Sequence, residues 1–249
     1  MTPLLPRRTL SAGAILRWHI VRRWFPGLAD PARPVRLLDV GCGRGEFVFE
    51  LARVFWRASV VLGIDEAGGD AVAGFLPVPA SVESRVRLVE GRFSRSRVAA
   101  YGPFDGILCV DVLEHLADDK AFLADIASVS VSGARFLLHV PAVAQVHPVA
   151  WVRHELDRML TEGTGQHVRE GYSAAGLEEL LAATGWRVLR TRPTFGPIAA
   201  WWCDADFYLA ERGSRLLRGA LLPATILGGV TAAHWAPARG NGWLILAER

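Results

Sequence analysis

Short apolar runs alternate with stretches of helical spacing along most of the chain. Residues 35–40, 59–64, 86–90, 104–110 and 134–140 are brief runs rich in Val, Leu and Ile, several of them closed by glycine or proline. This is how strands buried on both faces of a sheet read. Between them, 46–56 places Phe47, Leu51, Val54 and Phe55 at helical spacing, and a second helix is predicted over about 113–129. Residues 173–184 predict a helix with Ser173 as N-cap and Gly185 as its stop. Residues 186–191 follow as a sixth strand and 243–247 as a last one. Ahead of these elements, 9–24 mixes apolar and basic residues as an amphipathic helix that ends before Pro26-Gly27, and Pro31 and Pro34 mark a linker. Strands and helices alternating at these lengths predict an α/β fold: a doubly wound, mostly parallel sheet of seven strands, with ligands bound at the strands' carboxyl ends. The chain divides into an N-terminal helical cap (1–34), a core (35–192), a helical insertion (193–240) and the last core strand (241–249).

Composition narrows the class. The 249 residues are 51% hydrophobic and 21% charged, enough apolar material for one full core and too much for a disordered chain. The formal charge is +3, and Lys120 is the single lysine among 28 basic residues. The arginines are spread from Arg7 to Arg249 without a dense run, so no nucleic-acid face is expected. Cys42, Cys109 and Cys203 are odd in number and far apart. They predict neither disulfides nor a metal site and suit a reducing, cytoplasmic setting. No secretory leader is predicted at the basic N-terminus. The longest uncharged stretch, 219–238, holds Pro223, Gly228, Gly229, His234 and Pro237. It makes a poor transmembrane span and reads as a buried or interfacial helix, with weak contact to a membrane surface left open.

The chemistry concentrates where the first strand meets its helix, in Leu37-Leu38-Asp39-Val40-Gly41-Cys42-Gly43-Arg44-Gly45-Glu46. Glycines at alternate positions let the backbone turn sharply and let a ligand approach closely, and the helix start offers unpaired N–H groups. The Gly-x-Gly-x-Gly spacing differs from the Gly-x-Gly-x-x-Gly of dinucleotide sites. Asp39, two positions ahead of the first glycine, gives nothing to a pyrophosphate but suits a ligand bearing a cationic ammonium. Asp65 closes the second strand, where a carboxylate can accept from both hydroxyls of a ribose or cap the following helix.

Asp39 to Gly45, Asp65, and the run from Phe104 through Asp111-Val112-Leu113-Glu114-His115-Leu116 together resemble the class I S-adenosylmethionine-dependent methyltransferases. The likeness is strongest to members with a Leu-Glu-His-Leu-type turn after the fourth strand. It covers roughly 36–188 and the closing strand. It implies S-adenosyl-L-methionine as cofactor, with Asp39, Gly41, Cys42 and Gly43 around its methionine part and Asp65 and Glu66 at its ribose. Cys109, Val110 and Asp111 would lie near its ammonium and methyl group. Many members carry Gly-Asp after the third strand to meet adenine; this chain has Gly91-Arg92, so backbone or another side chain must hold the base there.

The resemblance implies methyl transfer to a small-molecule acceptor, with hydroxyl oxygen favoured over nitrogen or carbon. A hydroxyl acceptor gains from a general base, and His115 and Glu114 are candidates beyond the fourth strand. His147, His154, His167, Arg169 and Tyr172 form a second group, with His167 and Tyr172 its foremost candidates, and His139 sits at another strand end. Each of these also reads as a cap, packing or surface residue. Trp18 to Trp24 and the insertion's Trp201, Trp202, Phe207, Tyr208 and Trp235 either cover an apolar or aromatic acceptor or only pack the insertion on the sheet. A cofactor-binding module without turnover and a nicotinamide-dependent dehydrogenase stand as alternatives.

Overall fold

The structure, a computed structural model, describes residues 11–66, 79–161, 168–213, 215–234 and 238–249. Its elements run α1 (Ala12–Arg22), β1 (Arg36–Val40), α2 (Glu46–Val54), β2 (Val60–Asp65), α3 (Ala80–Glu83), β3 (Val86–Glu90), α4 (Arg95–Val98), β4 (Phe104–Val110), α5 (Asp119–Ser128), β5 (Ser130–Pro141), α6 (Ala150–Thr161), α7 (Ala174–Ala183), β6 (Arg187–Thr194), α8 (Pro197–Glu211), α9 (Arg215–His234) and β7 (Gly242–Glu248). The seven strands lie in the order β3-β2-β1-β4-β5-β7-β6. Contacts from β3 through β5 are parallel, and β7 runs antiparallel between β5 and β6. The mostly parallel doubly wound sheet is therefore as expected.

Alternation along each strand fills two cores. Leu38, Ile107, Cys109, Phe136, Leu138 and Ile245 pack on one face beneath α5 and α7. Their neighbours Leu37, Leu108, Leu137 and Leu244 pack on the other face beneath α1 and α2. Both faces are thus dry, which is why the strands read as continuous apolar runs. Chain order reverses between β1 and β4, and at that point a crevice opens at the carboxyl ends of the strands.

Three expectations change. The helix predicted from 113 starts only at Asp119: Leu113–His115 is a 3₁₀ turn, and the Asp118 carboxylate accepts from the Ala121 N–H (2.8 Å) to open α5 afresh. The loop after β5 contains a helix, α6, that was not foreseen. Of the buried and interfacial readings of the uncharged stretch, the buried one falls away, since only 11% of the window Leu216–Ala233 in α9 lies inside the protein. Helix α9 is long and apolar enough to cross a membrane by length and composition. Pro223 lies within it.

Helices α1, α8 and α9 are joined through one buried acid. Asp206 of α8 is buried, accepts from the Ala12 N–H at the start of α1 (2.8 Å), and pairs with Arg218 of α9 (2.9 Å).

Candidate active site

The glycine turn is tied to the end of β2. The Gly41 and Cys42 N–H groups donate to the Ile64 carbonyl at 2.8 and 3.2 Å, and the Gly43 N–H donates to Asp65 Oδ2 at 2.9 Å. Gly41 has φ +74° and Gly43 φ +52°, a region L side chains rarely adopt. A Cβ on Gly41 would meet Val112 at 2.2 Å, whereas one on Gly43 would meet nothing within 4 Å. The turn therefore has to be glycine for two reasons: packing at Gly41 and backbone shape at Gly43.

A cleft of about 650 Å³ opens beside this turn, lined by Gly41, Asp65, Glu66, Gly91, Arg92, Phe93, Asp111, Val112, His115 and Phe122 among others. Beneath the turn, Asp39 is 1% exposed, and its Oδ2 has no hydrogen-bond partner among the described residues. Burial, with the nearby Glu46 and Asp65 carboxylates adding to it, holds its carboxyl well above the usual range. A buried acid lacking a partner and an open glycine turn are what a nucleoside with a cationic amino-acid arm would complete, so these residues fit S-adenosylmethionine.

At the far end, Arg92 pairs with Glu66 at 2.5 Å, both exposed, and Phe93 packs edge-on to Phe122 at 5.5 Å. Phe93 and Phe122 were missed at sequence level. An aromatic directly after Gly91-Arg92 was the available signal for the first of them.

Not every expected residue reaches the cleft. The Cys109 side chain is fully buried in the α5–α7 core, Val110 packs toward the other face, and Cys42 turns into the core beneath α2. Their side chains line neither this cleft nor the cavity beside it; only backbone remains for them to offer. Tyr172 is likewise corrected: its hydroxyl donates to the Leu113 carbonyl (3.1 Å) or Asp119 Oδ2 (2.9 Å) and braces the turn after β4. Burial and the Asp119 carboxylate push its phenol upward, away from service as a base. Arg169 braces the same turn through Asp119 (2.5 Å) and the Leu116 carbonyl (2.6 Å). His154 lies exposed on α6. His167 and Trp235 lie outside the described residues.

A second cavity, about 450 Å³, adjoins the cleft and shares Asp111 and His115 with it. Its lining includes Arg17, Glu114, His139, Gln145, His147, Phe195, Asp204 and Asn241. Asp111 holds φ +52° at the end of β4. Its Oδ1 stands 2.5 Å from His139 Nδ1 and its Oδ2 pairs with Arg17 at 2.8 Å. His139 Nε2 meets the Thr194 hydroxyl at 3.0 Å. Glu114 is 2% exposed, and its Oε2 is without a partner among the described residues. Burial, then the Asp111 charge, raise its carboxyl to about 8, so it is largely protonated at neutral pH. His115 is exposed at the rim between the two spaces.

Helix α8 contributes Ala200, Cys203 and Asp204 to this wall. Its aromatic rings pack elsewhere: Trp201 against Trp202 at 4.8 Å, and Phe207 and Tyr208 against Trp151 of α6. Of the two readings of these aromatics, these contacts favour packing, and the cavity that α8 walls mixes apolar surface with ionisable and amide side chains.

Comparison with known proteins agrees with the geometry. The chain is 30% identical over 204 residues to the ubiquinone biosynthesis O-methyltransferase of Mesorhizobium japonicum, covering 76% of this chain and 77% of that one. It is also 30% identical over 183 residues to the protein of the same name from Rhizobium johnstonii, covering 71% and 70%. Among solved structures, an S-adenosylmethionine-dependent methyltransferase from Archaeoglobus fulgidus superposes with a TM-score of 0.55 at 17% identity, over 96% of this chain and 95% of that chain. The magnesium protoporphyrin IX methyltransferase of Synechocystis, solved with SAH bound, does so at 0.51 with 17% identity, over 95% and 84%. The sequence model of the family described as a methyltransferase domain matches residues 16–191. With that match on the glycine turn, the acid-closed second strand and the 3-2-1-4-5-7-6 sheet, the chain belongs to the class I S-adenosylmethionine-dependent methyltransferases.

Proposed function

We propose that this methyltransferase acts on a hydroxyl oxygen of a small hydroxylated ring compound whose remaining part is apolar and lipid-borne. The carrying observation is the pair of adjoining spaces that share Asp111 and His115. One has the glycine turn; the other, of a size for one ring, is lined by ionisable side chains suited to hydroxyls. The relatives named for ubiquinone biosynthesis are O-methyltransferases, which favours oxygen over nitrogen or carbon.

Bound in the cleft, S-adenosylmethionine supplies a methyl group already activated by its sulfonium. In this reading Asp39 and the Gly41–Gly43 turn would hold the amino-acid arm, Asp65 the ribose, and Phe93 with Phe122 the flank of the base. The work left to the chain is alignment, which can supply ~7–11 kcal/mol of a barrier. Arg17 and His139 fix Asp111 between the two spaces, and α1 and α8 form part of the acceptor wall. The three cysteines are unpaired thiols, which agrees with a reducing cytoplasmic setting.

The lipid-surface part rests on α8 and α9. Leu216 and Leu227 of α9 and Ile198 and Trp201 of α8 are exposed, and α8 also lines the acceptor cavity. An amphiphilic acceptor could then enter by its polar head while its tail stays in lipid.

The test is product analysis. Purified protein with S-adenosylmethionine and a panel of catechols and hydroquinols should give methyl ethers by mass spectrometry. Asp65→Ala should weaken S-adenosylhomocysteine binding at least tenfold, about 1.4 kcal/mol. Gly43→Val should abolish binding by strain and bulk. Amine products, or no product from any hydroxylated ring, would overturn the reading.

A further inference from the structure

We propose that His147 is the catalytic base that takes the acceptor's hydroxyl proton, and that Asp204 is the positioning residue that makes it one. The inference deepens the O-methylation reading and rests on it.

Asp204 sits on α8, 3% exposed, with Oδ1 2.9 Å from His147 Nδ1 and Oδ2 accepting the Val149 N–H at 3.2 Å. An ionised carboxylate can only accept, so Nδ1 carries the ring proton and Nε2 keeps its lone pair. His147 lines the acceptor cavity, and Nε2 has no hydrogen-bond partner among the described residues. The backbone just before it is clamped as well. The Val146 N–H donates to Asn241 Oδ1, and Asn241 Nδ2 donates back to the Val146 carbonyl, both at 2.8 Å. An imidazole held in one tautomer by a buried acid, on a fixed backbone, lining the substrate space with its other nitrogen unengaged among the described residues, is the arrangement general-base catalysis uses.

The other candidates are occupied or mismatched. Both ring nitrogens of His139 are engaged, by Asp111 and Thr194. Asp111 spends one oxygen on His139 and the other on Arg17. Glu114, raised to about 8, is a proton donor at neutral pH. His115 stands at the exposed rim.

In the step assigned here, the acceptor O–H bond breaks and its proton passes to His147 Nε2. The oxygen pair forms the new bond to the methyl carbon, whose bond to sulfur breaks with the electron pair left on sulfur. The imidazolium is stabilised by Asp204 and later returns its proton to water.

Two acceptors of different acidity test this. Catechol keeps its proton at neutral pH and needs a base; 4-nitrocatechol is largely ionised already and does not. His147→Gln should lower kcat about 100-fold on catechol and less than about tenfold on 4-nitrocatechol, with S-adenosylhomocysteine affinity unchanged by calorimetry as proof of folding. In the parent protein, nitrogen-15 NMR at alkaline pH should show His147 with its proton on Nδ1. Asp204→Asn should move that proton to Nε2 and reproduce the acceptor-dependent loss. Equal losses on both acceptors, or a parent His147 protonated on Nε2, would overturn the base assignment alone. Methyl ether from neither acceptor with the parent would bring down the O-methylation reading, and this inference with it.

Discussion

His139 Nδ1 lies 2.5 Å from Asp111 Oδ1, and this contact locks the end of β5 to the end of β4 where the two spaces of the site meet. The backbone repeats the link, since the Asp111 N–H donates to the His139 carbonyl at 3.0 Å. Asp111 is thereby kept at φ +52°, a costly conformation for a side-chain residue. His139→Leu should leave Asp111 Oδ1 and the buried Thr194 hydroxyl without this partner. A loss of about 1–3 kcal/mol of stability is expected, read as a lower urea midpoint, together with weaker turnover because Asp111 is no longer fixed.

Asp39 predicts a pH-dependent affinity. Burial holds its carboxyl well above the usual range, so the free protein keeps a proton there to higher pH than an exposed aspartate would. A cationic ammonium in the cleft favours the ionised form, so the complex holds fewer protons than the free protein. Affinity for S-adenosylmethionine should therefore rise with pH through the Asp39 titration, and binding should release protons. Calorimetry in buffers of different ionisation heat measures the release. Asp39→Asn should bind more weakly and lose the slope.

The sheet and the glycine turn were legible because their signals are local: apolar runs of five to seven residues, alternate glycines, an acid closing the next strand. What escaped was set by distance or by facing. His147 and Asp204 are 57 residues apart, and no local pattern announces that the candidate histidine in the loop after β5 meets an acid on α8. Tyr172 reads like a site residue until its hydroxyl is seen on the Leu113 carbonyl, 59 residues away. Cys109 was readable and misread. It shares period-two alternation with Ile107, so its side chain had to follow Ile107 into the core rather than face a ligand. Counting aromatic residues on α8 could not tell rings lining a cavity from rings that brace helices.

Glu114 should make stability fall as pH rises. Its folded carboxyl titrates at about 8 against an ordinary range near 4.5, so between these values the folded state holds a proton that the unfolded chain has lost. Stability is greatest below about 4.5 as far as this group is concerned, declines up to about 8, and is then level. The slope from one group is at most about 1.4 kcal/mol per pH unit. Thermal unfolding of the cofactor-free protein across this window should show the decline. Glu114→Gln, neutral throughout and of the same shape, should flatten it.

Helix α9 should bind anionic membranes. From Arg212 to Ala247 the chain has no Asp or Glu, while Arg212, Arg215, Arg218 and Arg239 are present. Leu216 is 87% exposed and Leu227 67%; eleven residues apart, they lie on one face of the helix. The segment's net positive charge disfavours a second copy of itself, whereas phosphatidylglycerol headgroups meet that charge favourably. Burying one exposed leucine contributes about 1.5–3 kcal/mol, so the double variant Leu216→Glu, Leu227→Glu should lose at least tenfold in partitioning and also repel the lipid charge. Co-sedimentation with phosphatidylglycerol vesicles should capture the parent at low salt and release part of it at about 1 M, where charges are screened within about 3 Å. Because both leucines point to solvent, the variant should keep its S-adenosylhomocysteine affinity. Loss of vesicle binding with that affinity intact separates a surface effect from a folding one. If parent and variant sediment alike, the exposed leucines have another occupant, and the acceptor reaches its polar cavity from water.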